Sequence, residues 1–590
     1  MKIFLIWKNL KDVNNSNETS VGYRLRETFA PLFENLPATQ VITFPSANLA
    51  VLDMPIKGFA AQSFQEDDQT WAYAPEYPIN ASAVFTELGI KTQLSFDLPA
   101  LARTLEANPT KVLARLAPPF SLIWSQKLSG DIFIQTDGLG HALVYEYRDK
   151  DFWAVSNRPF AFSALGIDLY PDAEEWTARC ILGWFPCMLT GFHNMRYVEP
   201  GIQIHLSDLG ISYKKINILN EWLTPSTENL QSCLELAQSS IVNYVRSAKP
   251  LLNKPVVSLS GGWDSRAITS VFIAEKIKFT AKVRGPAEHP DVLIANQLAR
   301  VADFEIKSKY SAGIPPHEPE KIKENILLAL LWQAGGRNAH QNKSFQMDGR
   351  FIDGGSLGIS GQHGEIGRSH YLATIRKASL PVDGKDSTLF QYLTRKTPNF
   401  IRPSMRDVAF DMINDAIAQA DMLDLSGLKR WDFFYLYERT RRWAAGAQAG
   451  KPGFSLMPFL SPGFINASFS YPLNDMTDNP FHHYVIRNLM PAWYQIPFAN
   501  EIDVKTNIAT VSEKTAELPI WQKIGRRRFY DTKLYWQEVG RPFITETIAT
   551  DGFWSEIFDP ALILKHWNSE PDELIAICFL PVAIAKWRQR

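Results

Sequence analysis

The chain has 590 residues, 45% hydrophobic and 21% charged, the make-up of a folded globular protein and not of a disordered or fibrous one; length alone suggests about three to four domains, and the working expectation is two or three. Sixty-one basic against 62 acidic side chains leave a formal net charge of -1, which excludes a global field drawing nucleic acid or an acidic membrane surface. The four cysteines, Cys180, Cys187, Cys233 and Cys578, follow no CxxC or other zinc-like spacing, which argues against a disulfide framework or structural zinc and for a reducing, cytoplasmic setting.

The first residues hold an apolar run far short of a secretory signal and read as a first β-strand. Up to about residue 215, strand-like runs such as SLIWSQ, DIFIQTDG and DFWAVSN alternate with Asp-Gly and other glycine-containing turns. This pattern predicts an antiparallel sheet domain, crossed by a helix near 173–184. Residues 227–248 carry apolar side chains at helical spacing, among them Leu230, Cys233, Ile241 and Val245. The character of the chain then changes. A β-branched run before Gly261 and Gly262, a helix, a second strand through Val283 and a helix after Pro290 spell a βαβα unit on a parallel sheet. The predicted domains are therefore 1–218 and 219–590. Beyond residue 320 the chain reads mostly helical and aromatic, and the aromatics after 430 are expected to line a pocket. The apolar stretch 574–585 is too short to cross a bilayer and contains Pro581; it reads as a buried helix, and no membrane span is predicted. Cys180 and Cys187 read as packing, and the run Arg526, Arg527, Arg528 as a solvated face.

The most informative residues run from Ser258 through Leu259, Ser260, Gly261, Gly262, Trp263 and Asp264 to Ser265, between a predicted strand and a predicted helix. Adjacent glycines let the backbone curl so that several N–H groups face one anion. The helix N-terminus adds partial positive charge and the serine hydroxyls add donors. The segment has no lysine of the GxxxxGK[ST] type and is not GxGxxG. An ordinary Gly-Gly turn before a helix is the plain alternative.

The segment resembles the SGGxDS pyrophosphate loop of the ATP-pyrophosphatase superfamily, whose members split ATP between its α and β phosphates and adenylate a substrate. The resemblance implies that Ser258, Leu259, Ser260, Gly261, Gly262, Asp264 and Ser265 hold ATP and pyrophosphate, with Mg²⁺ between Asp264 and the phosphates. Val283, followed by His289, Pro290 and Asp291, resembles the adenine-holding strand and SPDxxxA turn of the asparagine synthetase family. Residues 357–371 align without a gap with that family's SGxGxDExxxGY segment, which places Gly361 at the nucleotide and Glu365 on the metal-binding acid. Gln362 stands where an acid is linked to ammonia handling, and Ile366 replaces the second acid; glutamine is no general base near neutral pH. Residues 456–461 resemble the PFLD segment, with Ser461 for the acid. In related lactam-forming synthetases an acid of this region helps deprotonate the attacking amine and a later lysine stabilises the transition state. Glu438 and Lys505 match by spacing; a helical ion pair with Arg441 or Arg442, and a solvated loop lysine, are the plain alternatives.

Residues 130–165 resemble the glutaminase half of asparagine synthetases, where a cysteine at the second position is the N-terminal nucleophile; here that position is Lys2, and no glutaminase activity is expected. The implied fold is α/β: an Ntn-type αββα sandwich without its nucleophile, then a parallel-sheet PP-loop ATP-pyrophosphatase domain with a helical C-terminal extension. The combination resembles β-lactam-type synthetases and lasso-peptide cyclases. It implies an ATP- and Mg²⁺-dependent, AMP-forming carbon-nitrogen ligase, foremost a macrolactam cyclase acting on a precursor peptide, with a leader peptidase and a leader-recognition protein as partners. The alternatives are an asparagine synthetase or small-molecule amide ligase using ammonia or an amino acid, an RNA-adenylating enzyme, and a non-catalytic binding protein.

Overall fold

The computed structural model describes residues 2–10, 18–92, 96–224, 229–285, 287, 289–309, 319–334, 351, 354–397, 399–444, 452–498 and 553–569. Among these, strands form three sheets. The first contains β1 (Lys2–Asn9), β2 (Gln40–Thr43), β3 (Asn48–Asp53), β8 (Tyr145–Arg148), β9 (Phe152–Ser156) and β10 (Met195–Tyr197), in the order β10-β8-β9-β1-β3-β2. The second contains β4 (Phe64–Glu66), β5 (Thr70–Glu76), β6 (Ser121–Gln126), β7 (Ile132–Thr136), β11 (Ile202–Ser207) and β12 (Gly210–Lys215), in the order β12-β11-β7-β6-β5-β4. Every pairing in both is antiparallel.

Side chains alternate across a strand, so β1 feeds two cores. Phe4 and Ile6 join Val51, Trp71, Tyr73, Ile123, Ile134 and Ile204 in one cluster between the sheets. Ile3, Leu5 and Trp7 face outward, into the cluster that holds Val21, Leu25 and Phe29 of the helix Glu18–Phe29. The helix Leu98–Ala107 packs on β5, which places helices outside both sheets and gives an αββα sandwich. Strands covered on both faces read as continuous apolar runs, as KIFLIW does. The helix expected near 173–184 runs Ala173–Leu182; the Asp172 carboxylate accepts from Glu175 N at 3.0 Å, and Gly183 at φ 88° ends it.

The third sheet is wholly parallel and combines β13 (Val256–Ser258), β14 (Thr280–Arg284), β15 (Ile306–Lys309), β16 (Ser356–Ile359) and β17 (Gly453–Leu456) in the order β15-β14-β13-β16-β17. β13 is first in sequence and central in space, so the chain leaves it toward one edge and later returns to the other side. That reversal opens a crevice at the carboxyl ends of β13, β14 and β16, the place where open α/β sheets receive ligands. The helices Trp263–Ala274 and Pro290–Ala302 follow β13 and β14, and the helix Leu230–Ala248 precedes β13.

Of the described aromatics after 430, Phe454 lines the cavity beside β16, but those of residues 431–437 do not. Trp431, Phe433, Phe434 and Tyr437 are all buried in the core, where their area contributes more to packing than a cavity wall would allow. Here the helix Leu428–Phe433 widens into a π-type helix over Phe434–Ala444. Its Glu438 accepts from Trp184 Nε1 at 3.1 Å and Cys187 N at 3.0 Å, tying the sandwich to the rest of the chain. Among the described residues, no helix is long and apolar enough to cross a membrane; residues 526–528 and 574–585 lie outside them.

Candidate active site

The turn after β13 is built from its own polar groups. Leu259 N donates to Lys282 O at 3.0 Å, which keeps the exit from β13 in line with β14. Ser265 Oγ accepts from Ser260 N at 3.0 Å, and Ser260 Oγ from Gly262 N at 3.2 Å. Gly261 N donates to the Asp291 carboxylate at 2.8 Å, so the turn already holds an oxyanion, supplied by the start of the next helix. This is the behaviour expected of a backbone nest above a helix N-terminus.

A cavity of about 590 Å³ opens beside the turn at the carboxyl ends of β13, β14 and β16. Ser258, Leu259, Ser260, Ser265 and Val283 line it, together with Lys282, Arg284, Asp291 and Ser360. Its far wall belongs to the sandwich, through Glu76, His141 and Arg158.

Behind the turn lies a cluster of charges. Asp264, in the first turn of its helix, sits 2.8 Å from His482 Nε2 through Oδ1 and 3.1 Å from Arg368 Nη2 through Oδ2. The same Arg368 nitrogen lies 3.2 Å from Glu365 Oε1. Burial pushes the Asp264 carboxyl up, but His482 and Arg368 together hold it below the usual carboxylate range. Glu365 is pushed up by burial and by its neighbour Asp264. Burial pushes His363 down to about 3, so this histidine is neutral; its ring lies 5.1 Å from that of His141. The loop approaches this closely because it is glycine where it touches. A Cβ at Gly361 would lie 2.6 Å from Ser265 N, and one at Gly364 would fall on Asp264 Oδ1.

The structure thus brings together Ser258, Leu259, Ser260, Gly261, Gly262, Asp264, Ser265, Val283, Gly361 and Glu365. Gln362 is half-buried on the same loop, its N–H donating to Ser360 Oγ at 3.1 Å. Glu438 stands apart: it is 1% exposed, and Arg441 Nη2 lies 3.1 Å from its second oxygen. With both oxygens engaged, Glu438 fits the helical ion pair better than a base that must receive a proton from an amine. Lys505 lies outside the described residues. Arg368 and His482 were missed by sequence reasoning. Arg368 falls on a position that the SGxGxDExxxGY pattern leaves open, and His482 is far along the chain in a helix whose only mark is a His-His pair.

Asp264 and Glu365 supply two hard oxygen donors of the kind a divalent cation takes, converging on one guanidinium nitrogen; among the described residues no group of three or more His, Cys, Asp or Glu side chains gathers as a metal site.

Lys2 forms an ion pair with its cross-strand partner Asp53 at 3.1 Å, and burial lowers its pKa. Arg266, next to Ser265, is fully buried and donates to the carbonyls of Trp493, Ile496 and Pro497 at 3.2, 2.7 and 2.8 Å. Arg266→Ala, which strands those carbonyls, is expected to cost about 3 kcal/mol or more, read as a lower urea midpoint; an unchanged midpoint would contradict this anchoring role.

No protein-family model and no curated protein matches the chain. Among solved structures, glutamine phosphoribosylpyrophosphate amidotransferase from B. subtilis, complexed with ADP and GMP, matches at 13% identity over 54% of this chain and 69% of that one, with a TM-score of 0.25. A structure described as the allosteric regulatory enzyme of purine biosynthesis matches at 12% identity over 54% of this chain and 82% of that one, with a TM-score of 0.26. Superposition this loose carries no weight beside the strand pairing of the chain itself.

Proposed function

We propose that the chain is an ATP-dependent, AMP-forming carbon-nitrogen ligase of the asparagine synthetase type. The observation that carries this reading is the oxyanion-holding turn of Ser260 to Ser265 at the switch point of the parallel sheet, beside a cavity large enough for a nucleotide. The turn's N–H groups and serine hydroxyls would receive the β and γ phosphates in place of Asp291, and Val283 would flank the base. A substrate carboxylate attacks the α-phosphorus, an acyl-adenylate forms and pyrophosphate leaves. An amine then adds to the acyl carbon, AMP departs and the amine's proton passes to solvent. Mg²⁺, held by Asp264 and Glu365, would neutralise phosphate charge. Arg284, at the carboxyl end of β14, adds a cation on the same wall.

The finer reading is a macrolactam cyclase of the lasso-peptide type, in which carboxylate and amine belong to one precursor peptide freed by a leader peptidase. A second reading, a small-molecule amide ligase, is favoured by Glu76 and Arg158 lining the same cavity, a carboxyl and a guanidinium that interact with each other and would pair with the ammonium and carboxylate of an amino acid. Release of AMP and pyrophosphate on adding leaderless peptide, with a product lighter by one water, supports the cyclase. Release driven by a free amino acid supports the second reading, and no release with either sinks both. With Lys2 bound to Asp53, glutamine is expected to yield no glutamate with or without ATP; measurable glutamate release would contradict the loss of the nucleophile.

A further inference from the structure

The point on which Asp264 and Glu365 converge is occupied by the chain's own cation. A single nitrogen, Arg368 Nη2, lies 3.1 Å from Asp264 Oδ2 and 3.2 Å from Glu365 Oε1. The other terminal nitrogen, Nη1, donates to Asn479 Oδ1 at 3.3 Å. Asn479 is the N-cap of the helix Pro480–Leu489, which also carries His482. The guanidinium is therefore aimed, not loosely placed, and His482 occupies the remaining Asp264 oxygen.

We infer that Arg368 is a built-in counter-cation that keeps divalent metal off the Asp264–Glu365 pair until a nucleotide arrives; this rests on the proposed nucleotide site. Two carboxylates and one guanidinium sum to a charge of about -1, whereas a divalent ion admitted beside Arg368 would raise the cluster to about +1 and set two cations within a few ångströms of each other. Metal and guanidinium thus exclude one another on the pair alone. The phosphates of a nucleotide remove that conflict, because their charge accommodates both cations and a guanidinium has the fork geometry for phosphate oxygens. Arg368 is 24% exposed in its side chain, enough to turn from the carboxylates toward an anion at the mouth of the turn. The metal then enters with the nucleotide and not before it.

The test is a Mn²⁺ titration of the nucleotide-free full-length protein, with free Mn²⁺ read by electron paramagnetic resonance and no turnover involved. The wild type and Asp264→Asn are expected to bind Mn²⁺ alike. Arg368→Met is expected to gain one site at least ten-fold tighter than any in the wild type, and the site is expected to vanish in Arg368→Met combined with Asp264→Asn. Arg368→Lys, which keeps the charge, is expected to behave as wild type. Two results overturn the inference: a wild-type, nucleotide-free Mn²⁺ site that Asp264→Asn removes, or an Arg368→Met protein with wild-type circular dichroism and melting that gains no site. If Arg368→Met does not fold, Arg368→Gln, which is shorter and uncharged but keeps a polar head, replaces it under the same criteria. Failure of the ligase reading shows as absent pyrophosphate release in the activity assay and leaves this metal titration readable on its own.

Discussion

Asp264→Asn is expected to lower pyrophosphate release by about 100-fold or more while leaving the protein folded, a loss of the size seen when one electrostatic contact to a developing charge is removed. Asparagine keeps the shape that fits against Gly361 and Gly364 and can still meet His482, so packing survives. What disappears is the negative charge that holds Arg368 in place and would bind the metal accompanying the phosphates. The measurement is a coupled pyrophosphate assay at saturating ATP, with Mg²⁺ varied, against a thermal melt of the same samples. A fall of less than about three-fold, with the melt unchanged, would place the chemistry elsewhere in the chain and remove the main support for the ligase reading.

The parts of this molecule that were legible in its sequence are those fixed by neighbours in the chain. The strand 202–207 alternates because Ile202, Ile204 and Leu206 face the inside of the sandwich, SLIWSQ reads as an apolar run because both of its faces are covered, and the helix 173–182 carries its own cap in Asp172 and its own stop in Gly183. The turn from Ser260 to Ser265 was legible for the same reason, since its serine hydrogen bonds are made within six residues; only the bond from Gly261 N to Asp291 reaches farther. The illegible parts depend on partners far away. Asp264 meets Arg368 across 104 positions, and Glu438 meets Trp184 across 254. The spacing of Glu438 and Arg441 suits an ion pair and a catalytic acid equally well, and only the arrival of Trp184 and Cys187 from the sandwich shows both oxygens engaged. Composition failed in a different way: Trp431 and Phe434 carry no local mark telling a core aromatic from a pocket wall, because the same apolar area serves either.

Gly364→Ala is expected to have the second largest effect, and its origin is steric. The residue has no need of a left-handed backbone; it is glycine because the loop passes against Asp264, where a Cβ would overlap Oδ1 and lie 2.8 Å from His482 Nε2. Neither neighbour yields easily, since His482 is 1% exposed and Asp264 is held on both oxygens. Overpacking of this kind costs about 1–3 kcal/mol, and here it also displaces the loop that carries Glu365 and Arg368. Pyrophosphate release is expected to fall about as far as in Asp264→Asn. A double-mutant cycle separates this clash from general damage: an Asp264→Ala background removes the two closest overlaps and leaves only that with His482, so the stability penalty of Gly364→Ala is expected to fall clearly below its wild-type value. Equal penalties in the two backgrounds would mean that the Gly364 loop and the Ser260 to Ser265 turn are not in contact in solution, and the paired carboxylates would then lose their common site.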